Sequence, residues 1–379
     1  MKTRKAVLAK PAKFVFKPGA ATLRKDDLPV MIERLTAEYD VVAPVVRDFS
    51  IALEKIKSAN ELARGYRDVQ SPGRYVLEKT DEPMIFTYAN GQESPKKFIH
   101  PSRLLMFKGA RKDGLFDVIE EDEPERKLAF FGIHPCDRQS ILVLDRTYIT
   151  DHPDPYYLRR RGDAFVAVVN CTRPGATCFC ASMGTGPKAD RGFDIALTEL
   201  ADAFLIEPGS PKGMAMMSKL PTKPATQAEL SQAGFWIEDA LLHMGRTLNT
   251  TDLPQILLRE LDHPHWDIMK DWCVGCTNCT IVCPTCFCYT IADKVDLSLQ
   301  SFKRERYWDS CFSWQFTEVH GCNFRENLRQ RYRHWVCHKL SYWVEQYGVF
   351  GCVGCGRCIT WCPVGIDIVD VATTVRGGV

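Results

Sequence analysis

Two stretches of this chain repeat one cysteine spacing. The first reads Cys273-Val-Gly-Cys276-Thr-Asn-Cys279-Thr-Ile-Val-Cys283-Pro284. The second reads Cys352-Val-Gly-Cys355-Gly-Arg-Cys358-Ile-Thr-Trp-Cys362-Pro363. Thiolates at i, i+3 and i+6 can wrap a loop around one face of an iron–sulfur cubane, one sulfur per iron. Small residues such as Gly275, Gly354 and Gly356 let the backbone come close, so that its N–H groups point at the sulfurs. The fourth cysteine lies one helical turn further on and points away from that cubane. In two-cluster ferredoxins it ligates the other cluster. The proline after it sets φ and removes a donor. The spacing therefore assigns Cys273, Cys276, Cys279 and Cys362 to one [4Fe–4S] cluster. It assigns Cys352, Cys355, Cys358 and Cys283 to a second. Structural zinc is the competing reading, but zinc sites usually combine two separated CxxC pairs. Each run here supplies four thiols in ferredoxin order, with its terminal proline.

The remaining cysteines sharpen the redox setting. The chain has 17 in 379 residues; four lie between 136 and 180 and the other thirteen between 273 and 362. An odd count without an export signal argues against a disulfide framework. The N-terminus is basic, but its apolar stretch runs only from Ala6 to Ala9, too short for a signal-peptide core. No stretch approaches the length of a membrane span. A soluble, cytoplasmic protein with metal-binding thiolates is the expectation. Lys and Arg number 49 against 47 Asp and Glu, a net charge of +2. That balance gives no support to a nucleic-acid partner. The 45% hydrophobic content is enough for a sizeable core, and the length implies two or three domains.

Along the chain, residues 1–25 read as an N-terminal arm, 26–261 as an α+β or α/β domain, and 262–379 as a largely helical dicluster ferredoxin-like domain. Leu28–Glu38 has helical spacing. Val41–Val46 reads as a short strand broken by Pro44, and Leu53–Arg64 as a helix stopped at Gly65. Met84–Tyr88 reads as a strand before an Asn-Gly turn. Leu128–Ile133 and Ala164–Asn170 are buried-strand candidates, each leading into a cysteine-bearing loop. That arrangement places both loops at one sheet edge, where α/β proteins build sites. Residues 208–227 look like an exposed connector, and 227–246 look helical. The 68 residues between Cys283 and Cys352 are too many for a compact small ferredoxin. His334–Tyr347 reads as an amphipathic helix stopped by Gly348, so inserted helices are expected there.

Cys136, Cys171, Cys178 and Cys180 form a possible third metal site, which would be a further iron–sulfur cluster. The alternative is a set of buried structural thiols. Cys286, Cys288 and Cys311 could also contribute a site. Cys322 and Cys337 lie near His320, His334 and His338. Helix packing is the blander reading of these five, and none is taken as a ligand. Met183-Gly-Thr-Gly-Pro187 lacks the dinucleotide fingerprint and reads as a turn. No Ser/His/Asp set or carboxylate pair points to catalysis by the chain itself, so no catalytic residue is assigned.

Further motifs carry a family resemblance. They are Pro95-Lys-Lys-Phe-Ile-His-Pro101, Gly132-Ile-His-Pro-Cys-Asp137, Asn170-Cys-Thr-Arg-Pro-Gly175, Cys178-Phe-Cys-Ala-Ser-Met-Gly-Thr-Gly-Pro187 and Gly192-Phe-Asp-Ile-Ala-Leu-Thr198. Cys283-Pro-Thr-Cys-Phe-Cys288, Trp308-Asp-Ser-Cys311 and Phe350–Ile359 add to them. Over about residues 40–370 the chain resembles the 4Fe–4S dicluster proteins. These include the β subunit of sulfhydrogenase-type cytoplasmic [NiFe] hydrogenases and the A subunit of anaerobic sulfite reductase. The resemblance implies an electron-transfer subunit that relays single electrons between a flavin- and NAD(P)-binding subunit and a catalytic oxidoreductase subunit. A NAD(P)-linked [NiFe] hydrogenase is the first expectation. An anaerobic sulfite reductase or heterodisulfide-reductase-linked complex is the alternative. A stand-alone thiol or metal-site reductase is the rival of another class.

Overall fold

A computed structural model describes residues 14–112, 115–120 and 126–377. The basic N-terminal segment Met1–Lys10 lies outside the described residues. The strands are β1 (Ala21–Arg24), β2 (Asp40–Arg47), β3 (Ser50–Ile56), β4 (Tyr66–Ser71), β5 (Arg74–Lys79), β6 (Arg103–Lys112) and β7 (Leu115–Glu120). They continue with β8 (Leu128–Ile133), β9 (Phe165–Val169), β10 (Ile195–Glu199), β11 (Ala203–Pro208), β12 (Lys223–Pro224), β13 (Tyr289–Val295) and β14 (Ser301–Trp308). The α-helices are α1 (Leu28–Glu38), α2 (Lys96–Ile99), α3 (Pro135–Tyr148), α4 (Pro155–Arg161), α5 (Pro211–Met217), α6 (Gln227–Leu242) and α7 (Leu253–Arg259). They are followed by α8 (His265–Trp272), α9 (Asn278–Ile281), α10 (Leu328–Cys337), α11 (Trp343–Tyr347), α12 (Arg357–Thr360) and α13 (Ile368–Gly377).

An eight-stranded mixed sheet, in the order β12-β1-β11-β10-β9-β8-β2-β3, forms the N-terminal scaffold. Its centre is parallel: β8 pairs with β2 on one side and β9 on the other, and β9 pairs with β10. These strands are buried on both faces, so β8 and β9 read as continuous apolar runs. On one face α1 packs through Leu28, Met31, Ile32 and Leu35, the helical spacing read from the sequence. On the other, α3 and α4 pack through Ile141, Leu144, Tyr148 and Tyr157.

Four expectations are corrected. Pro44 does not break its strand. It sits inside β2 opposite Leu53, and its carbonyl accepts a hydrogen bond from Ala63 N. Leu53–Arg64 is not a helix. Its first third, residues 53–56, belongs to β3, which is joined to β2 by Asp48 and Phe49, both with positive φ. That turn matches the strand twist without the usual Asn-Gly signal. Met84–Tyr88 is not a ladder strand. Its backbone is buried and irregular, and the Glu199 carboxylate accepts from Ile85 N and Phe86 N at 2.6 and 2.8 Å. Residues 208–227 hold α5, whose Met216 and Met217 are buried, and the edge strand β12.

The segment between the cysteine runs contains helices and strands. The hairpin β13–β14 extends a sheet of order β13-β14-β6-β7, so residues from both halves of the chain share a ladder. After it come α10, a five-residue π-helical turn at His338–Tyr342, and α11, which ends at Gly348 with φ of 70°. A second core holds Trp266, Tyr332, Trp335, Val336 and Leu340 beside the cysteine runs.

Candidate metal centres

The two cysteine runs share one backbone path. Gly275 and Thr277 in the first, and Gly354 and Gly356 in the second, all have φ between 64° and 76°. Each pair precedes a four-residue helix, α9 or α12. Left-handed residues turn successive N–H groups toward the loop interior. The contacts follow: Gly275 N donates to Cys273 Sγ at 3.5 Å and Gly354 N to Cys352 Sγ at 3.4 Å. Ile366 N donates to Cys362 Sγ at 3.4 Å.

Cys362 does not stand with the other thiols of its own run. It lines a small pocket together with Cys273, Cys276 and Cys279, and Phe312, Tyr332 and Trp335 form part of its wall. Cys283, from the first run, stands instead with the second. The Cys358 sulfur interacts electrostatically with those of Cys352, Cys355 and Cys283, and also with Cys279. The structure thus brings together each set of four that the spacing implied, side by side. Asn278 of α9 donates to the Trp361 carbonyl just beyond α12, which ties the two runs to each other.

These sites suit iron–sulfur cubanes. All eight donors are thiols, and burial pushes most of them up; Cys352 reaches about 12. A buried thiolate without a compensating cation is unfavourable, and iron supplies that charge. Cys283 shifts the other way. Its hydrogen bond from Cys286 comes first, and the Lys339 ammonium adds to it, so its thiol is held well below the ordinary range despite burial. Among the described residues, no three His, Cys, Asp or Glu side chains gather closely enough for a single ion.

The N-terminal thiols lie against the second run. Cys178 and Cys180 are buried, and both interact with Cys171 and with Cys355. Cys136, at the start of α3, interacts with Cys180 and Cys355, and its sulfur accepts from Asn90 Nδ2 at 3.1 Å. Phe179 N donates to Gly354 O at 2.8 Å. The Met183–Pro187 stretch is a turn, as read, and its Thr185 hydroxyl donates to Val353 O at 2.6 Å. A Cβ at Gly354 would meet Cys180 N at 2.7 Å, so glycine permits this approach.

Sequence reading missed Lys96, Lys339 and the pairing of Arg357 with Asp137. Lys339 was legible in one respect: it falls four residues from both Trp335 and Trp343, on the buried face of its helix. Cys322 is exposed, and Cys337 is packed in the second core.

A 4Fe-4S dicluster domain matches residues 272–366. Sulfhydrogenase 2 subunit beta of Pyrococcus furiosus is 36% identical over 323 residues, which cover 84% of this chain and 94% of that protein. The chain belongs to the sulfhydrogenase β-subunit family. No solved structure matches it. As a member of this 4Fe–4S dicluster family it carries two [4Fe–4S] clusters and serves as an iron–sulfur electron-transfer subunit. No helix of the described residues is long and apolar enough to cross a membrane.

Proposed function

We propose that this chain is the relay subunit of a NAD(P)-linked [NiFe] hydrogenase, standing between a flavin- and NAD(P)-binding subunit and the catalytic subunit. Cys273, Cys276, Cys279 and Cys362 hold one cluster; Cys352, Cys355, Cys358 and Cys283 hold the other. The single observation that supports the relay reading is that Cys362 shares a pocket with Cys273, Cys276 and Cys279 while Cys283 and Cys279 both lie within electrostatic reach of Cys358. When bound, the clusters supply one-electron redox chemistry. The chain's residues hold and tune them. Gly275 N, Gly354 N and Ile366 N donate to ligand sulfurs, which favours the more reduced, more negative state. Phe312, Tyr332 and Trp335 give the first site an apolar inner wall.

Cys136, Cys171, Cys178 and Cys180 are a third candidate metal site in this reading, supported by their packing against Cys355. The hydrogenase assignment draws on the sulfhydrogenase relative. Purification of the native complex under anaerobic conditions tests it. The expected result is co-purification of a flavin-binding chain and a [NiFe] chain, with reduction of the clusters by hydrogen. Co-purification with a sirohaem-bearing chain, and no response to hydrogen, would overturn it in favour of a sulfite reductase.

A further inference from the structure

The hairpin inserted between the cysteine runs has a buried base, and three further thiols meet there. Cys286 and Cys288 enter β13, and Cys311 follows β14. The hairpin ladder continues past Tyr289 and Trp308, with Asp309 N donating to Cys288 O at 2.9 Å. Cys311 N–H bonds to the Cys288 sulfur, and Cys286 interacts with Cys288. Cys286 and Cys311 are 9% and 4% exposed.

Two lysines are buried against these thiols. Lys96 of α2 and Lys339 of the π-helical turn are 3% and 2% exposed. Lys339 interacts with Cys286, Cys288 and Cys311, Lys96 with Cys286 and Cys288, and both also face Cys283 of the second site. The hydrogen-bond and ring partners of these ammonium groups are neutral. Lys96 Nζ donates to Ile281 O at 3.0 Å and lies 3.9 Å over the Trp308 ring; Lys339 Nζ donates to Thr285 Oγ1 at 3.0 Å. Among the described residues, no carboxylate stands within ion-pair distance of either; Asp309 faces Cys288, and its Oδ1 accepts from Ser310 N at 2.7 Å. Buried charges are normally paired or bound to a group of opposite charge.

We propose that Cys286, Cys288 and Cys311 hold an additional iron–sulfur cluster, whose negative charge Lys96 and Lys339 offset. Assembly takes iron and sulfide from outside the chain and releases the three thiol protons as iron–sulfur bonds form. A thiolate-ligated cluster is anionic, which explains two ammonium groups where a bare dication would be repelled. Cys283 belongs to the neighbouring site, so the cluster has three cysteine ligands. Its place joins both runs, since Cys311 interacts with Cys279 and Cys286 with Cys283.

The test compares iron, sulfide and EPR of the anaerobically purified full chain with those of a Cys286→Ser/Cys288→Ser/Cys311→Ser variant. The expected result is a loss of roughly three to four irons per chain, with both ferredoxin-type signals retained. If the triple variant does not fold, as judged by circular dichroism, Cys288→Ser decides the matter, because that side chain is only half-buried. Unchanged iron in the folded variant, or loss of zinc instead, overturns the proposal. Loss of a ferredoxin-type signal while the extra iron stays overturns it as well. Absence of the ferredoxin-type signals from the unaltered chain would instead contradict the eight-thiol assignment, so the two failures are distinct.

Discussion

Arg357 and Asp137 are 220 residues apart in sequence and 2.8 Å apart in space. Both side chains are almost fully buried. Arg357 lies inside the second cysteine run, and Asp137 follows Cys136 in α3, so the pair bolts the run to the sheet scaffold. The same guanidinium donates to Gly91 O at 2.9 Å and Glu93 O at 2.7 Å. Removing one partner leaves a buried charge, which costs about 3–5 kcal/mol. Arg357→Met and Asp137→Asn should each lose about that much in anaerobic denaturant unfolding. The double variant should lose less than their sum. Arg357→Lys should not rescue, since one ammonium cannot reproduce the planar fork.

Glu199 replaces a missing strand ladder. Its two oxygens accept from Ile85 N and Phe86 N, and Lys25 Nζ lies 2.9 Å away. Glu199→Gln keeps one acceptor and turns the other into a donor facing an N–H. A loss of about 1–3 kcal/mol is expected, read as a lower denaturant midpoint.

Two glycines separate backbone strain from contact. Gly184 has φ of 66° and open space where a Cβ would go. Gly184→Ala should therefore cost only the left-handed penalty, about 1–2 kcal/mol. Gly356 has φ of 76°, and a Cβ there would lie 2.5 Å from Thr177 Oγ1 and 2.6 Å from its carbonyl. Thr177 cannot retreat, because Gln70 and Thr360 hold its hydroxyl. Gly356→Ala should cost more than Gly184→Ala and lower the iron content of the purified chain; equal losses would contradict the contact argument.

His334 and His338 stack at 5.5 Å and are pushed down by burial, to about 4 and about 3. The folded chain therefore binds fewer protons there than the unfolded chain. Stability from these groups is complete above the ordinary histidine range, near 6.5. It falls as pH drops through that value toward 4 and then 3. Unfolding of the holoprotein between pH 7.5 and 5 should show this slope, and His334→Gln should flatten it.

The nearness of Cys362 to the first run was legible because cubane chemistry calls for it: a fourth thiol one helical turn on cannot reach the cluster its own loop wraps. The helix α1 and the strands β8 and β9 were legible because each follows one period through a run of apolar residues. Leu53–Arg64 misled because Leu53 and Ile56 satisfy a helical i, i+3 spacing as well as a strand edge. The turn at Asp48 and Phe49 decides between them, and its residues do not announce positive φ. The Met84–Tyr88 segment was opaque for another reason. Its backbone partner is the side chain of Glu199, more than 110 residues away. Cys286, Cys288 and Cys311 could be grouped from the sequence as a further site, but the two lysines facing them could not, since only the β13–β14 pairing and the packing of α2 and the π-helical turn bring these groups together.

Reduced-state EPR of single variants tests the exchanged ligand sets most directly. Cys276→Ser and Cys362→Ser should remove or alter the same cluster signal, and Cys283→Ser and Cys355→Ser the other. If Cys362→Ser instead altered the signal that Cys355→Ser alters, and Cys283→Ser the one that Cys276→Ser alters, each run would hold its own cluster and the exchange would be contradicted.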